Sequence, residues 1–140
     1  MDLLGWRRVV SALANHACSP ITQEQCQQLK PEDDFASAQN LLEETVEMVA
    51  LLGSLDSFPM DRFEDIRPVF RNAEELEIIE PGQGLSLIKL LRLSRNLCRE
   101  RDKKTDYPRL RVWLGKLDPL KEFLDELVCC IDDEGNIREN

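Results

Sequence analysis

The residues with the most evident chemical potential form a row of cations: Lys89, Arg92, Arg95, Arg99 and Arg101. Side chains three or four positions apart share a helix face, so the row forms a strip that would hold a partner helix or an acidic surface. The competing reading is electrostatic neutralisation within the fold. Charge comes in blocks: residues 21–80 carry fifteen acids and four bases, and residues 81–116 carry ten bases and three acids. The acidic block would then neutralise the basic one.

Other residues with reactive side chains read more simply. Glu43, Glu44 and Glu47 have helical spacing and no partner base, which describes a solvated face. Five cysteines, Cys18, Cys26, Cys98, Cys129 and Cys130, are odd in number and contain no Cys-x-x-Cys. They read as reduced thiols of a cytoplasmic protein. With His16 as the one histidine, a zinc site would need scattered ligands, and His16 suits the end of the first helix, where an imidazolium meets the dipole. Asp132-Asp133-Glu134-Gly135-Asn136-Ile137 invites a calcium reading, but the twelve-residue loop with its final Glu is absent. A tight turn is expected there. Gly82 and Gly84 are no phosphate loop, since no Gly-Lys-Ser/Thr follows. No Ser or Cys stands with an activating base, no carboxylate pair is placed for glycoside chemistry, and 6% aromatic residues give no platform for bases. No catalytic residue, cofactor-binding residue or metal ligand is expected in this chain.

These side chains have to be positioned by helices. Pro81 to Arg101 places Leu85, Leu87, Ile88, Leu90, Leu91, Leu93, Leu97 and Cys98 over more than half a helical wheel, where packing on one side needs a stripe of only ~100°. A central helix contacted from several directions is predicted, with Lys89, Arg92, Asn96, Arg99 and Glu100 as its polar edge. Leu4 to Ala17 predicts a helix burying Trp6, Val9, Val10, Leu13 and Ala17. Ser19-Pro20 starts a second helix as N-cap and first helical residue, and it runs to about Leu29. Asp33 and Asp34 open a third, with Leu41, Leu42, Thr45, Val46, Met48, Val49 and Leu52 as its buried stripe and Gly53 as its C-terminal cap. Pro68 belongs in the first turn of a fourth, starting at Ile66 or Arg67 with Asp65 as N-cap and ending near Glu75. Tyr107-Pro108 starts a short helix to about Leu117. Asp118-Pro119 starts another to about Ile131, burying Leu120, Phe123, Leu124, Leu127 and Val128. Arg101 to Thr105 reads as a charged linker, and Trp6, Trp113 and Phe123 as core. The expected fold is all-α: one domain over residues 1–140, an irregular multi-helix bundle around the helix near 81–101, with short extended or turn segments near 76–79 and 131–137.

Composition agrees with a single globular domain. The 140 residues are 42% hydrophobic and 32% charged, and a chain this long buries roughly 68–70% of its unfolded surface. No apolar run is long enough to span a bilayer, and Met1 to Arg8 lacks the order of a secretion signal. A net charge of −9 disfavours extensive contact with a phosphate backbone.

Three ordered segments resemble a known family. They are Leu4-Gly5-Trp6 through His16-Ala17-Cys18-Ser19-Pro20, with Leu29-Lys30-Pro31; Leu41-Leu42-Glu43-Glu44-Thr45, with Asp65-Ile66-Arg67-Pro68 and Asn72-Ala73-Glu74; and Cys130-Ile131-Asp132-Asp133-Glu134-Gly135-Asn136-Ile137. Together they resemble the N-terminal region of the second bacterial type of MutS protein, over nearly the whole chain. The chain departs from that pattern around Thr22 and at Met60-Asp61-Arg62-Phe63-Glu64, where the family has glycines. The resemblance implies the first part of a helical core, or lever, of a longer protein whose core continues into a coiled-coil arm with a clamp, a dimeric ABC-type ATPase using ATP and magnesium, and a C-terminal Smr nuclease domain. None of those motifs is present. The implied partners are the remaining domains of the parent, itself a homodimer acting on DNA, in recombination suppression, or on stalled ribosomes. This segment alone would be a monomer or weak dimer, with no membrane contact. The lack of a helix after Ile137 fits a segment that stops before the long helix.

Overall fold

The computed structural model describes residues 5–54, 58–75, 78–103 and 106–138. Among them are seven helices: α1 (Trp6–Ala14), α2 (Pro20–Gln28), α3 (Phe35–Gly53), α4 (Arg67–Glu74), α5 (Pro81–Lys103), α6 (Pro108–Leu114) and α7 (Lys121–Cys130). The all-α expectation holds. The extended structure is a single antiparallel bridge between Ile131 and Ile137 among the described residues, closing the turn expected at 131–137. Leu76 and Glu77 lie outside the described residues, and Ile78 and Ile79 adopt no regular structure.

The core is centred on α5. Leu87, Ile88 and Leu91 pack with Val69 of α4 and Leu124 of α7, and Ile66, Leu127, Val128 and Ile131 surround them. Contact with α4 on one side and α7 on another explains why its apolar arc is so wide. Its N-terminus is secured by Gln83, whose Oε1 accepts the Glu80 N–H at 3.1 Å, the return arm of a capping box. Gly84 is buried where α5 comes closest to the end of α7: a Cβ there would run into the Cδ1 end of Ile131. The helix continues to Lys103, so Arg101 to Lys103 extend α5 where a linker was expected.

Several helix starts lie where local chemistry put them. Ser19, itself buried, accepts the Thr22 N–H at 3.1 Å with Pro20 at the first helical position. Asp34 accepts the Ser37 N–H at 2.8 Å to open α3. α4 starts at Arg67 with Pro68 in its first turn, but its N-cap is Ile66 and not the expected Asp65, which lies one residue earlier and accepts the Arg67 N–H at 3.0 Å. α1 and α2 pack as a pair, joined where the Trp6 indole N–H donates to Leu29 O at 3.0 Å.

Tertiary contacts overrule other expectations. α1 stops at Ala14, His16 lies exposed beyond its C-cap Asn15, and the residues it buries are Val10 and Ala14, with Val9 and Leu13 left exposed. α6 ends at Leu114. α7 begins at Lys121, because Asp118 Oδ1 takes the Leu120 N–H at 2.9 Å and Leu120 adopts a left-handed φ of 40°. Leu120 and Phe123 then face outward, leaving Leu124 as the buried anchor. Trp113 is 51% exposed, with the Lys116 ammonium 3.8 Å above its ring centroid. Gly53 is the last helical residue of α3 in open surroundings, and the cap position belongs to Ser54.

The largest departure is α3. Leu41, Leu42, Val46, Val49 and Leu52 are exposed, while Glu43, Glu44, Glu47 and Met48 are half-buried and Leu51 is buried. The helix is turned so that its carboxylates face the protein. The reason lies in α6, whose first backbone amides find their acceptor in a side chain of α3: Glu47 takes the Arg109 N–H at 3.0 Å and the Leu110 N–H at 3.0 Å. Glu43 pairs with the Arg109 guanidinium, and Asn40 Oδ1 accepts from it at 3.3 Å.

Candidate functional site

The cationic row sits on α5, whose 100° step between residues sorts its members. Lys89, Arg92 and Arg99 fall within about 80° of one another together with Asn96. Lys89, Asn96 and Arg99 are exposed, and Arg92 is half-buried. Arg95 is turned toward the protein, with a buried Nε that has no hydrogen-bond partner among the described residues. Arg101 falls about 120° from Lys89 on the other side of the helix and makes a contact of its own. The structure therefore brings together Lys89, Arg92 and Arg99 and sets Arg95 and Arg101 apart.

A loop completes the site. Asp61, Arg62 and Phe63 run beside α5 and, with Lys89, Arg92, Leu93 and Asn96, enclose a cleft of about 360 Å³. Three tethers hold this loop: the Phe63 N–H donates to Cys18 O at 3.1 Å, Ser86 bonds Glu64, and Arg67 bridges Asp65 and Glu24. The last perturbs all three of its charged groups. Hydrogen bonds from Arg67 hold both the Glu24 and Asp65 carboxyls below their ordinary values, and the same bonds raise the guanidinium. Arg67 thereby joins α4 to α2 through Glu24, with bidentate geometry of 2.8 Å for both bonds.

Arg62, Lys89 and Arg92 give the cleft three cations against the single carboxylate of Asp61. Arg92 is partly committed, with its Nη1 2.9 Å from Asp133, so neutralisation of that residue comes from the C-terminal acidic segment and not from the block before α5. Arg109 of the basic block does pair with a preceding acid, Glu43. The cleft has no histidine, cysteine or hydroxyl in its lining; it can hold an anionic group by charge and hydrogen bonding. Arg62 carries no periodic signal because it lies in a loop, and nothing in its neighbours announced that this loop would lie along α5.

The Asp132 turn uses its carboxylate on its own backbone. Oδ1 accepts the N–H groups of Glu134 at 2.9 Å and Asn136 at 2.8 Å, and Gly135 takes a φ of 86°. These bonds, that from Asn136 foremost, hold the Asp132 carboxyl below its ordinary value. The turn reading stands, and among the described residues no three of His, Cys, Asp and Glu gather as a metal ion would require. All five cysteines are free thiols: Cys98 is buried, Cys18 and Cys26 are half-buried, and Cys129 and Cys130 are exposed.

No family model matches the chain, and no solved structure does. Curated proteins do. The chain is similar to the protein named Endonuclease MutS2 of Geobacillus sp. strain WCH70, 28% identical over 144 residues covering 100% of this chain and 18% of that protein. The Endonuclease MutS2 of Acetivibrio thermocellus is 26% identical with the same coverages, and that of Clostridium beijerinckii is 25% identical, covering 99% of this chain and 18% of its own length. The resemblance to the second MutS type is thus borne out along the entire chain, at low identity. The chain spans 18% of the length of these relatives.

Proposed function

We propose that this chain is a non-catalytic core segment of a MutS2-like protein, a helical lever that passes motion between parts of a larger machine. The carrying observation is the match, which takes in 100% of this chain and only 18% of the relative. The exposed surface supports it. A compact monomer of 16.2 kDa exposes about 7,500 Å², whereas this chain exposes 10775 Å². A surplus of that size belongs to a piece whose faces are covered by other polypeptide. The packed core around α5 suits a mechanical role, because close-packed interiors transmit displacement with little compression. In this reading ATP, magnesium and nuclease chemistry belong to parts beyond these 140 residues. The parent acts in the cytoplasm as a homodimer on DNA, restraining recombination, or on stalled ribosomes.

The cleft of Arg62, Lys89 and Arg92 favours a second reading, a stand-alone helical module that holds an acidic partner. The two separate on the mass of the native gene product, detected in its own cells with an antibody raised against this chain. Dividing 16.2 kDa by the 18% share gives an expected band near 90 kDa for the lever. A band at 16.2 kDa overturns the lever and leaves the module.

A further inference from the structure

Arg92 serves two places at once. Its Nη1 holds Asp133 at 2.9 Å, and the same side chain lines the cleft of about 360 Å³ beside Arg62 and Lys89. The bridge is open to water on both sides, with Asp133 76% and Arg92 42% exposed, and such pairs are weak and screened by salt. Arg62 and Lys89 are exposed and have no hydrogen-bond or ion-pair partner among the described residues. Both stand on fixed supports. Lys89 and Arg92 lie three positions apart on α5 and are therefore neighbours. The loop of Arg62 is tied down just beyond it, by the Phe63 N–H to Cys18 O and by Ser86 to Glu64. The backbone carrying all three cations is thus set before any ligand arrives, and less ordering is left for the binding step.

We infer that this cleft is a site for a small phosphate monoester and that Asp133 is its internal competitor. The choice of ligand follows from charge. Three cations face two carboxylates, Asp61 and Asp133. One positive charge is left over while the bridge holds, and two when Asp133 is displaced. A carboxylate ligand offers Arg92 nothing that Asp133 does not supply already, and Asp133 is tethered, at an effective concentration on the order of mM. A phosphodiester also carries a single charge and competes no better. A phosphate monoester carries about −1.5 to −2 near pH 7 and presents three acceptor oxygens. It matches the two charges that displacing Asp133 sets free, and it can take a bidentate contact from an arginine with Lys89 as a point charge. The esterified group has a place as well. Phe63 and Leu93, both half-buried, give the cleft an apolar wall, and its volume lies at the small end of ligand pockets, about 300–1,000 Å³. Filling the cleft ends the Arg92–Asp133 bridge. The turn itself persists, because Asp132 still accepts the Glu134 and Asn136 N–H groups. The inference gives a ligand to the cleft on which the stand-alone module rests, and it applies equally to the lever, where the cleft is the same.

The test is a nuclear magnetic resonance titration of the 140-residue chain at constant ionic strength and about pH 7.5, where the monoester is a dianion. The probe is phenyl phosphate, with benzoate and dimethyl phosphate as singly charged comparisons. Phenyl phosphate should move the amide signals of Arg62, Lys89, Arg92 and Asp133 together and saturably, and the other two should leave them in place at the same concentration. Arg62→Ala should weaken binding about five-fold, the scale of one exposed charge pair. Asp133→Asn should tighten it roughly 2–5-fold by removing the competitor. Both side chains are exposed, and unchanged signals elsewhere check that the fold survives. No saturable shift with phenyl phosphate overturns the site. Equal shifts with dimethyl phosphate or benzoate overturn the monoester assignment. Unchanged affinity in Asp133→Asn overturns the competition. None of these outcomes bears on the mass of the native gene product, so this inference and the lever reading fail independently.

Discussion

At the scale of single residues, several carboxylates of this chain serve as acceptors for backbone amides. Asp34 opens α3, Asp65 accepts the Arg67 N–H at the start of α4 and Asp132 organises the final turn. Such a role is visible in pH dependence. The Asp34 and Asp132 carboxyls lie below their ordinary value of 3.8, Asp34 chiefly through the Ser37 N–H and Asp132 chiefly through the Asn136 N–H. The unfolded chain therefore binds more protons than the folded one below that value. Stability from these groups is fully present above about pH 4–5 and is lost as pH falls through the lowered folded values. Denaturant titrations between pH 5 and 2 should show a steep loss in the wild type and a shallower one in the Asp132→Asn variant. Equal slopes would mean that the Asp132 bonds do not persist in solution. The short-range part of this was legible: Ser19 and Asp34 announced themselves as caps by type and position, since a cap needs only its own next three residues, whereas the expected cap Asp65 falls one residue before the N-cap Ile66. Gly53 misled because a glycine after an apolar run signals a left-handed cap only if the chain reverses there, and here the helix ends on an extended Ser54.

At the scale of elements, the join between α3 and α6 is the unusual one. α6 spans seven residues, too short to be stable alone, and its N-cap Tyr107 makes no side-chain cap bond. Glu47 supplies the missing acceptor from another helix, as Asp or Ser would from the cap position. Glu47→Ala should cost about 1 kcal/mol, the scale of a lost cap, and should raise amide hydrogen exchange at Arg109 and Leu110. Glu47→Gln, which keeps an acceptor oxygen, should recover most of the protection. Loss of protection spread evenly over the molecule would mean that α6 is held mainly by Leu110, which is buried. The spacing of Glu43 and Glu47 was plain in the sequence; that α6 would present two unpaired amides and an arginine to them was not, because the partner lies 62 to 66 positions away.

At the scale of the whole molecule, burial is uneven. Stability concentrates where α4, α5 and α7 meet, and the α3 face adds little within one chain. Leu124→Ala should cost about 2–5 kcal/mol, a large share of the 5–15 kcal/mol typical of a domain. Val49→Ala, at an exposed position, should stay within about 0.5 kcal/mol. Urea titration of both variants checks the contrast. A large loss from Val49→Ala would show that α3 packs on this side within a single chain.

The sequence by itself determined that the chain is helical, where most helices start, that α5 is central and which family it resembles. Those properties rest on periodicity, on caps and on residue order, all of which are local or cumulative along the chain. Only the tertiary structure decided which face of α3 points inward. A wheel shows an apolar arc and an acidic arc, and the usual inference buries the apolar one. Here Arg109 and the open amides of α6 claim the acidic arc, since a charge-assisted bond to an unsatisfied N–H is roughly twice as strong as a neutral one while apolar area has no preferred direction. The tertiary structure likewise brought Arg62 to Lys89 and Arg92 and moved Arg101 off the strip, because a loop's path depends on its tethers and not on its own composition.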